Sequence, residues 1–244
     1  YIIKILQNHK LGKDIQIKLI LLISFFSSWL ISVRILGILI FLQYLIFLVV
    51  YLETYKIDFI KFLTKQKSKF IILISMTIVL TFIMNPILWH NPLEIINSIK
   101  WMGKYQQDIC TLTLGKCLKS LDLPASYYFI WLFFKLPILI IFGLLLYPLI
   151  EKKLAKNVFN KVIINSLLIT LISILTLFIL FNVSIYDELR HVMFLIPLLF
   201  IVGLNSLYLF NKKIFSIFGL ITILFFVGDN ISINPYQYTW LNNF

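Results

Sequence analysis

The chain has 244 residues, 61% of them hydrophobic and only 13% charged, with a mean hydropathy of +0.97. Those values lie outside the range of soluble globular domains and read as an integral membrane protein. A net charge of +12 would suggest nucleic acid in a soluble protein, but here the lysines cluster in short segments between apolar runs. That is the pattern that orients a membrane protein, so no nucleic-acid partner is expected.

The apolar runs are continuous rather than alternating and reach the ~20 residues that a spanning helix needs, which excludes a β-barrel. Lipid leaves the backbone no outside partner, so the spans are expected to be helices. The expected fold is all-α: a polytopic transmembrane helical bundle forming a single domain over 1–244, with about seven spans and an outer loop at 89–127. The first residue is Tyr1 rather than Met, and no cleavable signal pattern precedes the first run, so a fragment is expected.

Residues 1–18 carry Lys4, Lys10, Lys13 and Lys18 against Asp14. The run from Ile15 to Tyr51 is too long for one span and just enough for two tight ones, hinged at Arg34 and Gly37. Segment 52–69 holds Lys56, Lys61, Lys65, Lys67 and Lys69, and the positive-inside rule places it, like the N-terminal segment, in the cytoplasm. Arg34 then falls near the outer face. Phe70–Leu88 is the expected third span, leading to the outer loop. Tyr128–Ile150 returns inward, interrupted by Lys135-Leu136-Pro137, to a basic segment at 151–161. Val162–Ile185 goes out, Val192–Phe210 comes back to Lys212-Lys213, and Ile214–Val227 goes out again, before a tail without Lys or Arg. In this topology Trp29, Trp89, Trp101, Trp131 and Trp240 all fall toward the outer side, as interface-seeking indoles should. The expected location is the inner (cell) membrane, with multiple passes.

Within the outer loop, Asn91-Pro92-Leu93-Glu94 has a capping residue, a proline at the first helical position and an acid at the third, followed by Ile95, Ile99 and Met102 at helical spacing. This predicts a short helix, lying along the membrane surface or shaping a cavity. Cys110 and Cys117 follow. They are either bridged in an oxidising exterior or two free thiols. No CxxC pair or His/Cys cluster has zinc spacing, so no metal or cofactor is expected.

No glycine-rich phosphate loop, HExxH or GxSxG occurs. Ligand chemistry therefore falls to polar residues of the outer face, and the densest group is Tyr186-Asp187-Glu188-Leu189-Arg190-His191, between two apolar runs. The chain has twenty lysines but only two arginines, Arg34 and Arg190. A permanently charged fork at the edge of an apolar segment suits an anionic partner such as a phosphate. In a helix starting near Tyr186, Asp187, Arg190 and His191 share one face. One account is a helix start with acids on the dipole and a local ion pair. The other is a partly desolvated site where Arg190 takes a phosphate and a carboxylate orients His191. Lys135, inside an expected span, either joins such a site or snorkels to the interface. His90 and Asp108 read as solvated loop residues.

The stretch Tyr186-Asp187-Glu188-Leu189-Arg190-His191-Val192-Met193-Phe194-Leu195-Ile196-Pro197 resembles the Y-D/N-x-x-R-H-x-x-F-x-x-P segment of C-type membrane glycosyltransferases, the protein mannosyltransferases and bacterial polyprenyl-phosphate-sugar transferases. Three further stretches agree in order. Ser32-Val33-Arg34-Ile35-Leu36-Gly37 resembles the family's small-residue, Arg, Gly segment. Leu123-Pro124-Ala125-Ser126-Tyr127-Tyr128 through Lys135-Leu136-Pro137 resembles its L-P-x-x-Y-Y loop exit, and Asn234-Pro235-Tyr236-Gln237-Tyr238 through Asn242 its N-P-Y-Q-Y tail. The sequence departs from the pattern at Ala125, where an aromatic is usual, and at Glu188-Leu189.

The resemblance implies sugar transfer from a polyprenyl-phosphate donor to a glycan, lipid or protein acceptor on the outer face. It places substrate at Arg34, Lys135, Tyr186, Asp187, Arg190 and His191. The family's catalytic base is a carboxylate in the first outer loop, which this topology places upstream of Tyr1, so no catalytic residue is assigned. The rival expectation is a transporter or flippase for a lipid-linked or anionic substrate, using the same arginines without bond chemistry.

Overall fold

The computed structural model describes residues 15–103, 109–120, 123–183, 185 and 190–234, with side chains of 101–103 left out. Helix makes up 79% of the structure, which makes the fold all-α apart from one small hairpin. Two compact units divide between Gly103 and Lys104.

The first unit opens with α1 (Ile17–Val33), a 3-10 turn (Ile35–Leu39) and α2 (Ile40–Thr54). The expected hinge is where the helix breaks. Arg34 is extended (φ −148°, ψ 130°), its N–H donates to Leu30 O at 3.1 Å, and its own carbonyl accepts from Gly37 N at 2.7 Å. A Cβ on Gly37 would stand 2.5 Å from the Leu30 carbonyl, so only glycine lets this turn fold onto α1. After α2 comes α3 (Phe59–Met84), which begins eleven residues before the expected third span. Asp58 explains the early start: its carboxylate accepts from Lys61 N at 2.8 Å, so the lysine segment is already helical. α4 (Ile87–His90) and α5 (Glu94–Gly103) complete the unit. α5 starts at Glu94, two residues after the expected Pro92, because Asn91 closes a turn ahead of it: its Oδ1 accepts from Leu93 N at 3.1 Å and its Nδ2 donates to Glu94 Oε1 at 2.9 Å. α5 packs against the 3-10 turn.

α1 and α3 make the tightest pairing of this unit, along the fully buried Ser24 and Ser28, while the equally buried Ser27 meets the Tyr44 hydroxyl of α2. The Ser28 hydroxyl lies 2.8 Å from Ser24 O in its own helix and 2.9 Å from Thr77 O in α3, while Asn85 Nδ2 donates to Ser32 Oγ at 2.7 Å. Lipid tails are as apolar as leucine, so hydrophobicity alone does not bring spans together. Small residues that admit a neighbouring backbone, with hydrogen bonds between helices, do.

The second unit opens with a hairpin, β1 (Cys110–Thr113) and β2 (Lys116–Lys119), in antiparallel register with Leu112 opposite Cys117. Leu114 and Gly115, both at positive φ (49° and 75°), make the two-residue turn whose twist suits a hairpin. A disulfide joins Cys110 to Cys117, with Cα atoms 5.4 Å apart. The outer-loop expectation included no strand.

Next come α6 (Ser126–Lys135), α7 (Ile138–Leu145), α8 (Tyr147–Leu154), α9 (Val158–Leu180), α10 (Leu195–Phe210) and α11 (Lys212–Ile233). The expected straight return over 128–150 does not form, because α6 and α7 meet at 120°. Pro137 has no N–H to continue the ladder and holds Leu136 extended (φ −91°, ψ 136°). α7 then lies along α10 with the backbones touching: a Cβ on Gly143 would sit 2.2 Å from Gly203 O. Lys153 caps the end of α10, donating to Leu209 O at 3.2 Å and Phe210 O at 3.0 Å, where the helix carries its negative pole.

The protein is a membrane protein. Among the described residues, four helical stretches are long and apolar enough to cross a bilayer, Ile35–Thr54, Phe59–Met84, Val158–Leu180 and Lys212–Ile233, and the bent pair α6–α7 makes a fifth if counted as one span. The difference from seven has a physical basis. α1 (17 residues) and α10 (16 residues) reach only about 25 Å at 1.5 Å per residue, short of the ~30 Å hydrocarbon core, and α6–α7 is bent.

Candidate functional site

The second unit holds a cavity of about 430 Å³, walled by Ser120, Leu123, Pro124, Ala125 and Tyr128 on one side and by the end of α9 on the other. Its construction follows from local sequence. Pro124 O accepts from Tyr127 N at 2.9 Å, which starts α6 and turns Tyr128 inward. The Tyr128 hydroxyl donates to Val183 O at 3.1 Å, tying α6 to the exit of α9. That exit is a left-handed cap at Asn182 (φ 45°), with Val183 N donating to Phe178 O at 3.0 Å and Asn182 N to Ile179 O at 3.2 Å. Asparagine tolerates this conformation better than any other side chain except glycine's hydrogen.

The hairpin is fastened to the same wall. Trp131 is buried and its indole Nε1 donates to Thr113 Oγ1 at 3.1 Å. Trp29 and Trp89 are exposed, whereas Trp131 is a structural bolt between α6 and β1. The side chain of Trp101 and all of Trp240 lie outside the described residues.

Among the expected substrate residues, Lys135 ends α6 at the break, half-buried, its Nζ 6.0 Å from the centre of the Trp131 ring. Arg190 is exposed and His191 half-buried with Nε2 shielded from solvent. Both stand in a turn before α10, where a helix starting near Tyr186 was expected. Pro197 supplies a reason: it cannot donate to Met193 O, so a regular ladder cannot run back through this point, and α10 starts at Leu195 with the proline in its first turn. Tyr186, Asp187 and Glu188 lie outside the described residues, as do Asp108 and the tail from Pro235. Arg34 is exposed at its hinge in the first unit, whereas Lys135, Arg190 and His191 belong to the second.

Among the described residues, no three His, Cys, Asp or Glu side chains group to hold a metal ion. What the second unit offers is a cavity with mixed polar and apolar walls, lined by four residues of the Leu123–Tyr128 stretch, with cationic groups elsewhere in the same unit. The sequence reading missed Thr113, Ser120 and Asn182. The alternation of Thr111-Leu112-Thr113 and Lys116-Cys117-Leu118 about Gly115 was the available signal for the first two.

No family model, curated protein or solved structure matches the chain.

Proposed function

We propose that the protein is a multi-pass glycosyltransferase of the inner (cell) membrane, moving a sugar from a polyprenyl-phosphate donor to a glycan, lipid or protein acceptor on the outer face. The observation that carries this reading is the ordered run of four short stretches around Arg34, Leu123–Tyr128, Arg190–His191 and Asn234–Tyr238. The second of them supports it further, since Leu123, Pro124, Ala125 and Tyr128 line a cavity while Tyr127 is buried in the core beside it.

The chemistry is coherent. A lipid-phosphate leaving group gains negative charge as the glycosidic bond breaks, and a guanidinium placed beside it stabilises that charge more in the transition state than in the ground state. Arg190 is the first candidate, with Lys135 and His191 of the same unit as neighbours in role, and Arg34 as the second guanidinium. Tyr186 and Asp187 complete the substrate set. The catalytic carboxylate is not assigned.

The test is transfer from a synthetic polyprenyl-phosphate sugar by the full-length protein in proteoliposomes. Arg190→Lys should lower the transfer rate at least about tenfold at unchanged expression, because a point charge does not replace a bidentate fork. Unchanged transfer removes Arg190 from the site, and absence of any transfer by the parent protein removes the reading.

A second reading, a transporter or flippase for a lipid-linked anion, draws on the helix interrupted at Lys135-Leu136-Pro137, since discontinuous helices build binding sites in transporters. Movement of labelled lipid across the bilayer with its glycosidic bond intact would select it. Both readings share a topology, in which a reporter fused after Lys153 stays cytoplasmic and one fused after Gln107 is exported.

A further inference from the structure

The hairpin of the second unit is built inside out. Its register sets Leu112 opposite Cys117 and Thr113 opposite Lys116, so successive side chains alternate between two faces of the strand pair. The face toward α6 carries Thr111, half-buried, and Thr113, which is 4% exposed and accepts the Trp131 indole N–H on its hydroxyl at 3.1 Å. The opposite face carries Leu112 and the disulfide between the exposed Cys110 and Cys117, with Leu114 following at the turn. Leu112 is 69% exposed and Leu114 67%. An antiparallel ribbon with water on one side turns its apolar side chains inward and its hydroxyls outward. This one does the reverse, as suits an apolar surrounding.

Two constraints set the depth of that surrounding. α6 starts at the end of the polar stretch 89–127, and Trp131 lies only about 7.5 Å along it from Ser126 at 1.5 Å per residue. Thr113 is bolted at that level, and the two leucines are its chain neighbours. Amphipathic elements at a membrane surface bury their apolar side to a similar depth, about 5–10 Å into the boundary between headgroups and acyl chains. The second constraint is the backbone. A hairpin of two strands has two open edges, whose outward N–H and C=O groups hydrocarbon cannot satisfy and hydrated headgroups can. The stretch Cys110–Lys119 contains lysines and no acid, and Lys116 is exposed at the start of β2, which suits a layer of phosphates.

We propose that the disulfide-stapled hairpin is a membrane-surface anchor: Leu112, Leu114 and the disulfide enter the headgroup–acyl boundary of the bilayer, while the strand edges and Lys116 stay among the headgroups. The partner is the lipid surface itself. The anchor does not depend on the proposed transfer reaction.

The test measures depth on the full-length protein in phosphatidylcholine liposomes. An environment-sensitive fluorescent amino acid replaces Leu114 or, in a second variant, Leu112, both of which are exposed enough to accept it. Lipids carry a nitroxide quencher on the headgroup, high on the acyl chain or near the chain end. At both positions the largest loss of fluorescence should come from the quencher high on the chain, a smaller one from the headgroup and the smallest from the chain end. The same fluorophore in place of Ile172, exposed within α9, should instead be quenched most from the chain end. Emission at 112 and 114 that no quencher lowers overturns the proposal: a water-like spectrum would leave the hairpin in solvent, and an apolar one would place a second copy of the chain on it. Strongest quenching from the chain end overturns the assigned depth.

Discussion

Gly143→Ala adds one methyl group to a helix and should nevertheless loosen the second unit. The new Cβ would lie 2.2 Å from Gly203 O, 2.7 Å from its carbonyl carbon and 3.0 Å from its Cα. All three are backbone atoms, so no rotamer change relieves the clash. Ordinary contact starts at 3.4 Å, so α7 and α10 have to part by about 1.2 Å at this point. A gap of 0.5–1 Å already forfeits roughly a quarter to a half of the dispersion energy between facing atoms. The loss extends to Ile140, which faces Gly203, and to the cluster of Leu139, Leu146 and Leu207. Overpacking costs of this kind run to about 1–3 kcal/mol, against which the better helix propensity of alanine returns up to ~1 kcal/mol. A net loss of about 1 kcal/mol, and up to ~2, is expected, read as a shifted midpoint in mixed-micelle unfolding. Gly219→Ala in α11 supplies the control: nothing lies within 4 Å of that position, so the same chemical change should be neutral or slightly stabilising. If the two variants shift the midpoint alike, backbone contact between α7 and α10 is not what holds this unit together.

Replacing Cys110 and Cys117 together by serine releases a loop with a sequence separation of 7, worth about 2 kcal/mol in chain entropy. Trypsin should then cut at Lys116 or Lys119 sooner, and the unfolding midpoint should fall by the equivalent of that loss. Trp131→Phe removes the donor to Thr113 Oγ1 and should cost about 1 kcal/mol, seen as faster amide exchange across Cys110–Lys119. Together with the Arg190→Lys transfer assay, these changes separate the anchoring of the hairpin from the chemistry assigned to the arginine.

Local breaks were largely legible in the sequence. Arg34-Ile35-Leu36-Gly37 marked the first hinge, Asn91 to Glu94 the start of α5, and Lys135-Leu136-Pro137 a discontinuity, because each changes the backbone through its own residues. What those breaks do in space was not legible. A proline announces a missing N–H but not a 120° turn, which depends on what the following helix packs against. The hairpin escaped because the alternation of four-residue strands is too short to stand out in a long polar loop, and Leu114 at positive φ is not a residue type that announces a turn. Among the candidate site residues, chemistry could be read at Lys135, Arg190 and His191, but the turn that carries the last two follows from Pro197 and the start of α10.

The sequence by itself determined that the protein is helical and belongs in a membrane, because the length of an apolar run and the need to satisfy its backbone leave no other solution in lipid. Only the tertiary structure decided which small residues carry the packing. Ser24 against Leu73, Ser28 against Thr77, and Gly143 against Gly203 look like ordinary members of apolar runs until two helices meet at them. In lipid it is the closeness of that meeting, and not hydrophobicity, that supplies the energy.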